Sequence, residues 1–242
     1  MLDRSLFFID LLANRSFFIL LINRNDTRSD TLTTILFDLD GTIIDSSEGI
    51  FASIQYAMQK MNRELLNLTQ LRAFVGPPLY ASFLNLGFTD TEAKTAVDNY
   101  RENYRKKGMF QVTPYEGIAE VLATLSEAHA LYIATSKPEV FAKEILAYLD
   151  YTKYFSGIYG ADMENKRGTK GAVIAYALEA IHSTVDQKTV MVGDRSHDIQ
   201  GAKENQLEAI GVLYGFGDRQ ELVAAGARAI VQQPIDLLKI LK

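Results

Sequence analysis

The stretch Thr33-Thr34-Ile35-Leu36-Phe37-Asp38-Leu39-Asp40-Gly41-Thr42 decides how this chain is read. It opens with β-branched and apolar residues, as a buried strand does, and it ends in two carboxylates. Asp38 and Asp40 are two residues apart. On extended backbone their side chains point the same way. Like charges so close repel unless a cation or a proton comes between them. A hard, oxygen-seeking cation such as magnesium would relieve the repulsion with one or two carboxylates, completed by waters and phosphate oxygens. Gly41 lets the backbone come close to a ligand. A calcium loop also uses Asp-x-Asp, but it needs further oxygen ligands downstream, and here Thr42, Ile43 and Ile44 follow.

Downstream of this run, apolar residues recur at helical spacing over Glu48–Met61, and the pattern stays helical from Leu65 to Gly108. Gly76-Pro77-Pro78 and Gly87 break it. After Pro114 the texture changes. Strands are expected at 131–134, 157–160, 189–192, 209–212 and 229–231. Helices are expected at 118–128, 139–149, 171–181, 198–204 and from Ile235 onward. Alternating strands and helices imply an α/β fold, with a Rossmann-like parallel sheet and right-handed crossovers. The all-helical stretch inside the first crossover reads as an inserted cap. The expected division is an extension over 1–31, a core over 32–45 and 114–242, and a helical cap over 46–113.

In open α/β sheets, ligands bind beyond the carboxyl ends of the strands. Three strand ends carry polar residues: Asp38–Gly41, Thr135–Lys137 and Gly193–Asp198. Asp194 and Asp198 add two carboxylates. Phosphoryl transfer needs an in-line nucleophile, a proton donor for the leaving alcohol, and positive charge with donors on the phosphoryl oxygens. A carboxylate serves as nucleophile by forming an aspartyl-phosphate. Thr135 offers a hydroxyl, Lys170 an ammonium, and the turn at Gly41-Thr42 backbone N–H groups.

The bulk composition narrows the classes. The chain has 242 residues, 48% hydrophobic and 23% charged, which suits a globular protein with a sizeable core. With 25 basic and 30 acidic residues the net charge is -5, which argues against a binder of nucleic-acid polymers. There is no cysteine, so disulfides, thiolate zinc sites and a cysteine nucleophile are excluded, and a cytoplasmic location is expected. The three histidines are scattered, without the spacing of a histidine metal site. In residues 1–31, the apolar clusters Leu6–Ile9 and Phe17–Ile22 are interrupted by Asp10, Asn14 and Arg15. That falls short of the roughly 20 apolar residues of a membrane span. Asp3 offsets Arg4, which weakens a secretory signal. No membrane association is expected.

From about Leu32 to the C-terminus the chain resembles the haloacid dehalogenase superfamily of aspartate-nucleophile phosphatases. The first motif, DxDGT, is Asp38-Leu39-Asp40-Gly41-Thr42. The second is Thr135, closing Ile133-Ala134-Thr135-Ser136-Lys137-Pro138. The third is a lysine, Lys170, chosen over Lys166 because the helix-like Ala172-Val173-Ile174 follows it. The fourth, GDxxxD, is Gly193-Asp194-Arg195-Ser196-His197-Asp198. Several stretches resemble the phosphoglycolate phosphatases and bacterial 5'-nucleotidase-like proteins, among them Phe74–Leu79 and Gly211–Gly217.

The resemblance implies the following roles. Asp38 attacks phosphorus and ligates Mg2+. Asp40 protonates the leaving group, then activates water, and lends its backbone carbonyl to the metal. Gly41, Thr135, Ser136 and Lys170 hold the phosphoryl oxygens. Asp194 ligates Mg2+, and Asp198 binds it directly or through water. Arg72 and Gly76 of the cap are expected to meet the substrate, a small phosphorylated metabolite such as phosphoglycolate or a nucleoside monophosphate. The alternatives are a sugar phosphomutase and a non-catalytic relative.

Overall fold

The computed structural model describes residues 33–163, 166–182 and 188–241. The expected extension over residues 1–31 lies outside them. Strand β1 (Thr34–Phe37) leads into the Asp38 turn, and the short strand β2 (Ile44–Asp45) follows. Four helices come next: α1 (Ser47–Lys60), α2 (Leu68–Arg72), α3 (Leu79–Asn85) and α4 (Asp90–Lys106). Strand β3 (Thr113–Pro114) returns antiparallel to β2. Strands and helices then alternate through α5 (Ile118–Ser126), β4 (Ala130–Pro138), α6 (Glu139–Tyr148) and β5 (Gly157–Ala161). They continue with α7 (Lys170–Ala180), β6 (Thr189–Gly193), α8 (Ser196–Glu204), β7 (Glu208–Val212), α9 (Arg219–Ala225), β8 (Ala229–Val231) and α10 (Leu237–Leu241).

The main sheet has six parallel strands in the order β5-β4-β1-β6-β7-β8. β1 lies at its centre, with Phe37 in register with Ile133 of β4 and Val192 of β6. All four residues of β1 and all five of β6 are buried. A central parallel strand is covered on both faces, which is why these segments read as unbroken apolar runs rather than alternating ones. The alternation is still present in space. Ile35, Phe37, Ile133, Val190 and Val192 join one core cluster, while Leu36, Ala134 and Met191 join the other.

Some elements depart from the sequence expectation. β4 runs on to Pro138, with an irregularity in its pairing to β5 between Thr135 and Pro138. α8 begins at Ser196 rather than Asp198, because Asp198 caps the helix from inside, accepting from the Arg195 N–H at 3.0 Å. α9 is not among the expected helices; it buries only Leu222 and Ala225, too few for an apolar period. β2 and β3 are two residues each, too short for periodicity to reveal.

The helical insert between β2 and β3 adds an aromatic group to the core cluster it shares with the sheet. Phe83 is fully buried, with its ring 5.0 Å from Phe74 and 5.4 Å from Phe88. Reciprocal caps set two helix starts: Thr89 with Glu92 at α4, and Asn67 with Gln70 at α2. No helix among the described residues is long and apolar enough to cross a membrane.

Truncating Phe83 to Ala removes the centre of this aromatic group. The substitution should cost about 3–5 kcal/mol. Urea unfolding followed by intrinsic fluorescence and by amide exchange in α3 and α4 would measure the loss; a change within error would mean the insert contributes no cooperative core.

Candidate active site

The chain passes from β1 to β4 and β5 on one side, then returns to β6 on the other side of β1. The carboxyl end of β1 therefore sits where the strand order reverses, the place where open α/β sheets leave a crevice. Asp38 follows β1 directly, Thr135 lies in β4, and Asp194 follows β6 directly. The Asp38 N–H donates to Val192 O at 2.9 Å, tying the turn to β6. The turn then tightens. Leu39 O accepts from the N–H groups of Ile43 at 2.9 Å and Ile44 at 3.1 Å, and the Gly41 N–H donates to Ile44 O at 2.8 Å. Gly41 has φ +84°, and a Cβ there would run into the Asp194 carboxylate. Glycine at this position lets the two strand ends close on each other.

Asp38, Asp194 and Asp198 are all buried, and each places one carboxylate oxygen within 4.8 Å of the others. Facing them is the ammonium of Lys170, itself only 3% exposed. Its Nζ lies 2.7 Å from Asp38 Oδ1 and 2.8 Å from Asp198 Oδ1, and donates to Ala134 O at 3.2 Å. α7 delivers Lys170 at its first position, its start fixed by the Thr169 hydroxyl accepting from the Ala172 N–H at 3.3 Å.

Three carboxylates against one ammonium leave the pocket short of positive charge. Burial, then the Asp198 and Asp38 charges, push the Asp194 carboxyl well above its ordinary value, against the pull of the Phe216 N–H donating to Oδ2 at 2.8 Å. For Lys170, burial acts downward, but Asp198 and Asp38 overcome it and hold the ammonium above the usual lysine range. Asp194 Oδ1 is buried and accepts no hydrogen bond among the described residues. Asp38 Oδ1 and Asp198 Oδ1 also lack an aligned hydrogen bond, although Lys170 pairs with both electrostatically. A buried, oxygen-only, anion-rich donor set of this kind fits a hard divalent cation. Among the described residues the cluster holds no histidine or cysteine.

Asp40 stands apart from this group. Lys137 Nζ grips its two carboxylate oxygens at 2.9 and 2.8 Å, and sits 5.0 Å from the centroid of the Tyr104 ring. The Thr135 hydroxyl accepts from the Lys137 N–H at 3.2 Å. Asp38, Asp40, Thr135, Ser136, Gly76 and Asp194 all line one cavity of about 230 Å³ between the sheet edge and the helical insert.

Arg72 is not brought there. It is exposed near the end of α2 and lies outside the lining; Arg101 of α4 and Arg195 are the arginines at the cavity. Lys166 is likewise exposed, its backbone N–H donating to Asp162 Oδ1 at 3.0 Å, so Lys170 is the lysine among the carboxylates. Sequence reasoning passed over Lys137, Arg195 and His197 as site residues, although all three lie inside motif runs. Tyr100, Arg101 and Tyr104 carried no signal, being ordinary residues of an amphipathic helix until the fold turns them inward.

The family described as haloacid dehalogenase-like hydrolase matches residues 35–212. A protein of Pseudomonas aeruginosa named 5'-nucleotidase is 41% identical over 192 residues, covering 78% of this chain and 86% of that one. A protein of Mycobacterium tuberculosis named Tyrosine-protein kinase PtkA is 34% identical over 184 residues, 76% of this chain and 62% of that one. Among solved structures, one described as a predicted phosphatase from Clostridium acetobutylicum superposes with a TM-score of 0.82 at 42% identity, covering 87% of this chain and 98% of that one. The chain therefore belongs to the haloacid dehalogenase-like hydrolases, as one of their phosphatases.

Proposed function

We propose that this phosphatase hydrolyses a small phosphomonoester through an aspartyl-phosphate on Asp38, with Mg2+ held by Asp38, Asp194 and Asp198. The observation that carries the reading is the buried trio of carboxylates around Lys170 at the carboxyl end of β1. Asp194 Oδ1, buried without a hydrogen bond, gives the ion a reason to bind. When bound, Mg2+ supplies charge neutralisation on the phosphoryl oxygens and removes the repulsion between nucleophile and phosphate.

The protein's own groups carry the chemistry. A carboxylate oxygen of Asp38 attacks phosphorus, forming the acyl-phosphate bond as the P–O bond to the leaving alcohol breaks. Asp40 acts as an acid in its protonated form, with one oxygen given up by Lys137: it passes that proton to the departing oxygen, and then accepts one from the water that attacks the intermediate. Inorganic phosphate leaves and Asp38 is restored. The Thr135 and Ser136 hydroxyls donate to the phosphoryl oxygens, and Lys170, whose N–H groups already meet Asp38, Asp198 and Ala134 O, adds positive charge beside them; the N–H groups of Gly41 and Thr42, bonded within their own turn, do not serve the phosphate. Lys137 holds the Asp40 carboxylate in a fixed orientation through both oxygens.

The helices α1–α4 act as a cap that shelters the leaving group from water. Its walls are aromatic, with Phe74, Tyr100 and Tyr104 from the insert and Phe141 from α6, around a volume of about 230 Å³. Such walls suit a flat, ring-bearing leaving group better than glycolate, so a nucleoside monophosphate is the favoured substrate class. The name of the Pseudomonas aeruginosa relative is consistent with it.

A phosphate-release screen over nucleoside monophosphates, phosphoglycolate and sugar phosphates tests the reading. Stoichiometric inorganic phosphate is expected, which a mutase would not give, and Asp38→Asn should fall to background. Activity retained in that variant would remove Asp38 as nucleophile. Lys170→Ala should lower kcat at saturating Mg2+ by at least about 100-fold, while Lys166→Ala should stay near wild type; the reverse order would reassign the lysine.

Metal removal should act on stability as well as turnover. Burial and the Asp198 and Asp38 charges raise the folded Asp194 carboxyl above the unfolded one, so in the metal-free protein its own contribution to stability is fully present below the ordinary aspartate range and is lost as pH rises. The melting temperature without metal should therefore decline as pH rises above the ordinary aspartate range. Asp194→Asn should flatten that slope and raise the melting temperature, and Mg2+ should do the same for the wild type. A flat profile in the metal-free wild type would argue that Asp194 carries no strain.

A further inference from the structure

One contact joins the turn between Asp194 and Asp198 to the far side of the cavity. Arg195 directs two edges of its guanidinium to two different partners. Its Nε donates to Glu221 Oε1 at 2.9 Å and Oε2 at 3.2 Å, and its Nη1 donates to Val75 O at 3.0 Å. Glu221, in the first turn of α9, is itself held: its Oε1 accepts from the Ser196 N–H at 2.7 Å. Arg195 and Glu221 are both partly buried. On the insert side, Gly76 has φ +103°, and a Cβ there would come within 3.1 Å of Arg195 Nη1 and 3.2 Å of His197 Cε1. The loop backbone thus passes close to the guanidinium and the imidazole, leaving little room for a side chain at Gly76. Val75 through Pro78 all line the cavity, on the side away from the carboxylates' own elements. A longer bond, from Arg101 Nη2 to Met163 O at 3.4 Å, also joins insert to core but has no carboxylate behind it among the described residues.

We propose that Arg195 is a positioning residue that seats the Val75–Pro78 loop on the rim of the cavity, with Glu221 aiming the guanidinium, so that the wall around the leaving group is set from the same turn that carries Asp194 and Asp198. The proposal rests on the reading of the site as a phosphatase centre. A planar fork can bond Glu221 and Val75 O at once; an ammonium on a flexible stem cannot reproduce both directions. A hydrogen bond from a charged donor to a backbone carbonyl is strong enough to hold a short loop.

The test compares acetyl phosphate with para-nitrophenyl phosphate. Both have good leaving groups, so proton donation weighs little in either, and they differ chiefly in how far they reach toward the loop. Arg195→Ala should lower kcat/KM for para-nitrophenyl phosphate by at least about tenfold and for acetyl phosphate by less than about threefold. Amide exchange over residues 74–80 should quicken by about tenfold while residues 131–134 stay unchanged. Arg195→Lys should resemble Arg195→Ala. Glu221→Gln, which keeps an acceptor for the Ser196 N–H but loses the charge, should move both readouts the same way by less. Equal loss on the two substrates, or unchanged exchange over the loop, would overturn the proposal. If the wild type released phosphate from neither compound, the phosphatase reading would fail, while the exchange result would still decide whether Arg195 seats the loop.

Discussion

The ammonium of Lys170 is the interaction on which the rest of this site depends. Burying one carboxylate is costly, and burying three side by side is sustainable only when positive charge is brought to the same place. Lys170 supplies it from the first residue of α7, at 2.7 and 2.8 Å from two of the three. Its own burial is tolerable because those same carboxylates hold it charged. The elements behind the site follow from this mutual need: β1 and β6 must end side by side, and α7 must begin beneath them. The balance remains incomplete, since one ammonium does not neutralise three carboxylates, and the proposed Mg2+ would draw its affinity from that surplus of negative charge.

A second cation works differently. Lys137 grips Asp40, so the two carboxylates of the Asp-Leu-Asp run end in distinct environments, although they lie two residues apart. Asp38 faces Lys170 and the acidic group; Asp40 faces Lys137 and the Tyr104 ring. Neighbouring side chains of one type can take unlike roles only when their surroundings are made unlike. Here the difference comes from β4 and α4, one of them outside the sheet altogether.

The core was largely legible because its rules are local. Thr34–Phe37 and Thr189–Gly193 read as buried strands since a central parallel strand is apolar on both faces. The strand ends read as a site since polar residues collect where such strands stop. Asp38, Thr135, Lys170, Asp194 and Asp198 could all be named from their positions in runs. The cavity wall was not legible. Tyr100, Arg101 and Tyr104 belong to an ordinary amphipathic helix, and only tertiary packing decides which of its faces meets the cavity. Arg72 illustrates the same limit: a helical arginine near a Gly-Pro-Pro loop was a reasonable choice, and the fold turned it to solvent. Strands of two residues, such as β2 and β3, have no period to detect.

Those two short strands have a consequence for the history of such a molecule. Ile44 pairs with Pro114 and Asp45 with Thr113, so the chain leaves the sheet and returns to it at one point. Everything between is a closed loop of sequence whose ends are already stapled together. Its length and content can vary while entry and exit stay pinned together, so long as the replacement still packs where Tyr104 now meets Lys137 and Phe141. A lineage can therefore try new walls around an unchanged reaction centre, one insertion at a time. The link from Arg195 to Val75 O is to a backbone carbonyl, which every replacement loop would also offer.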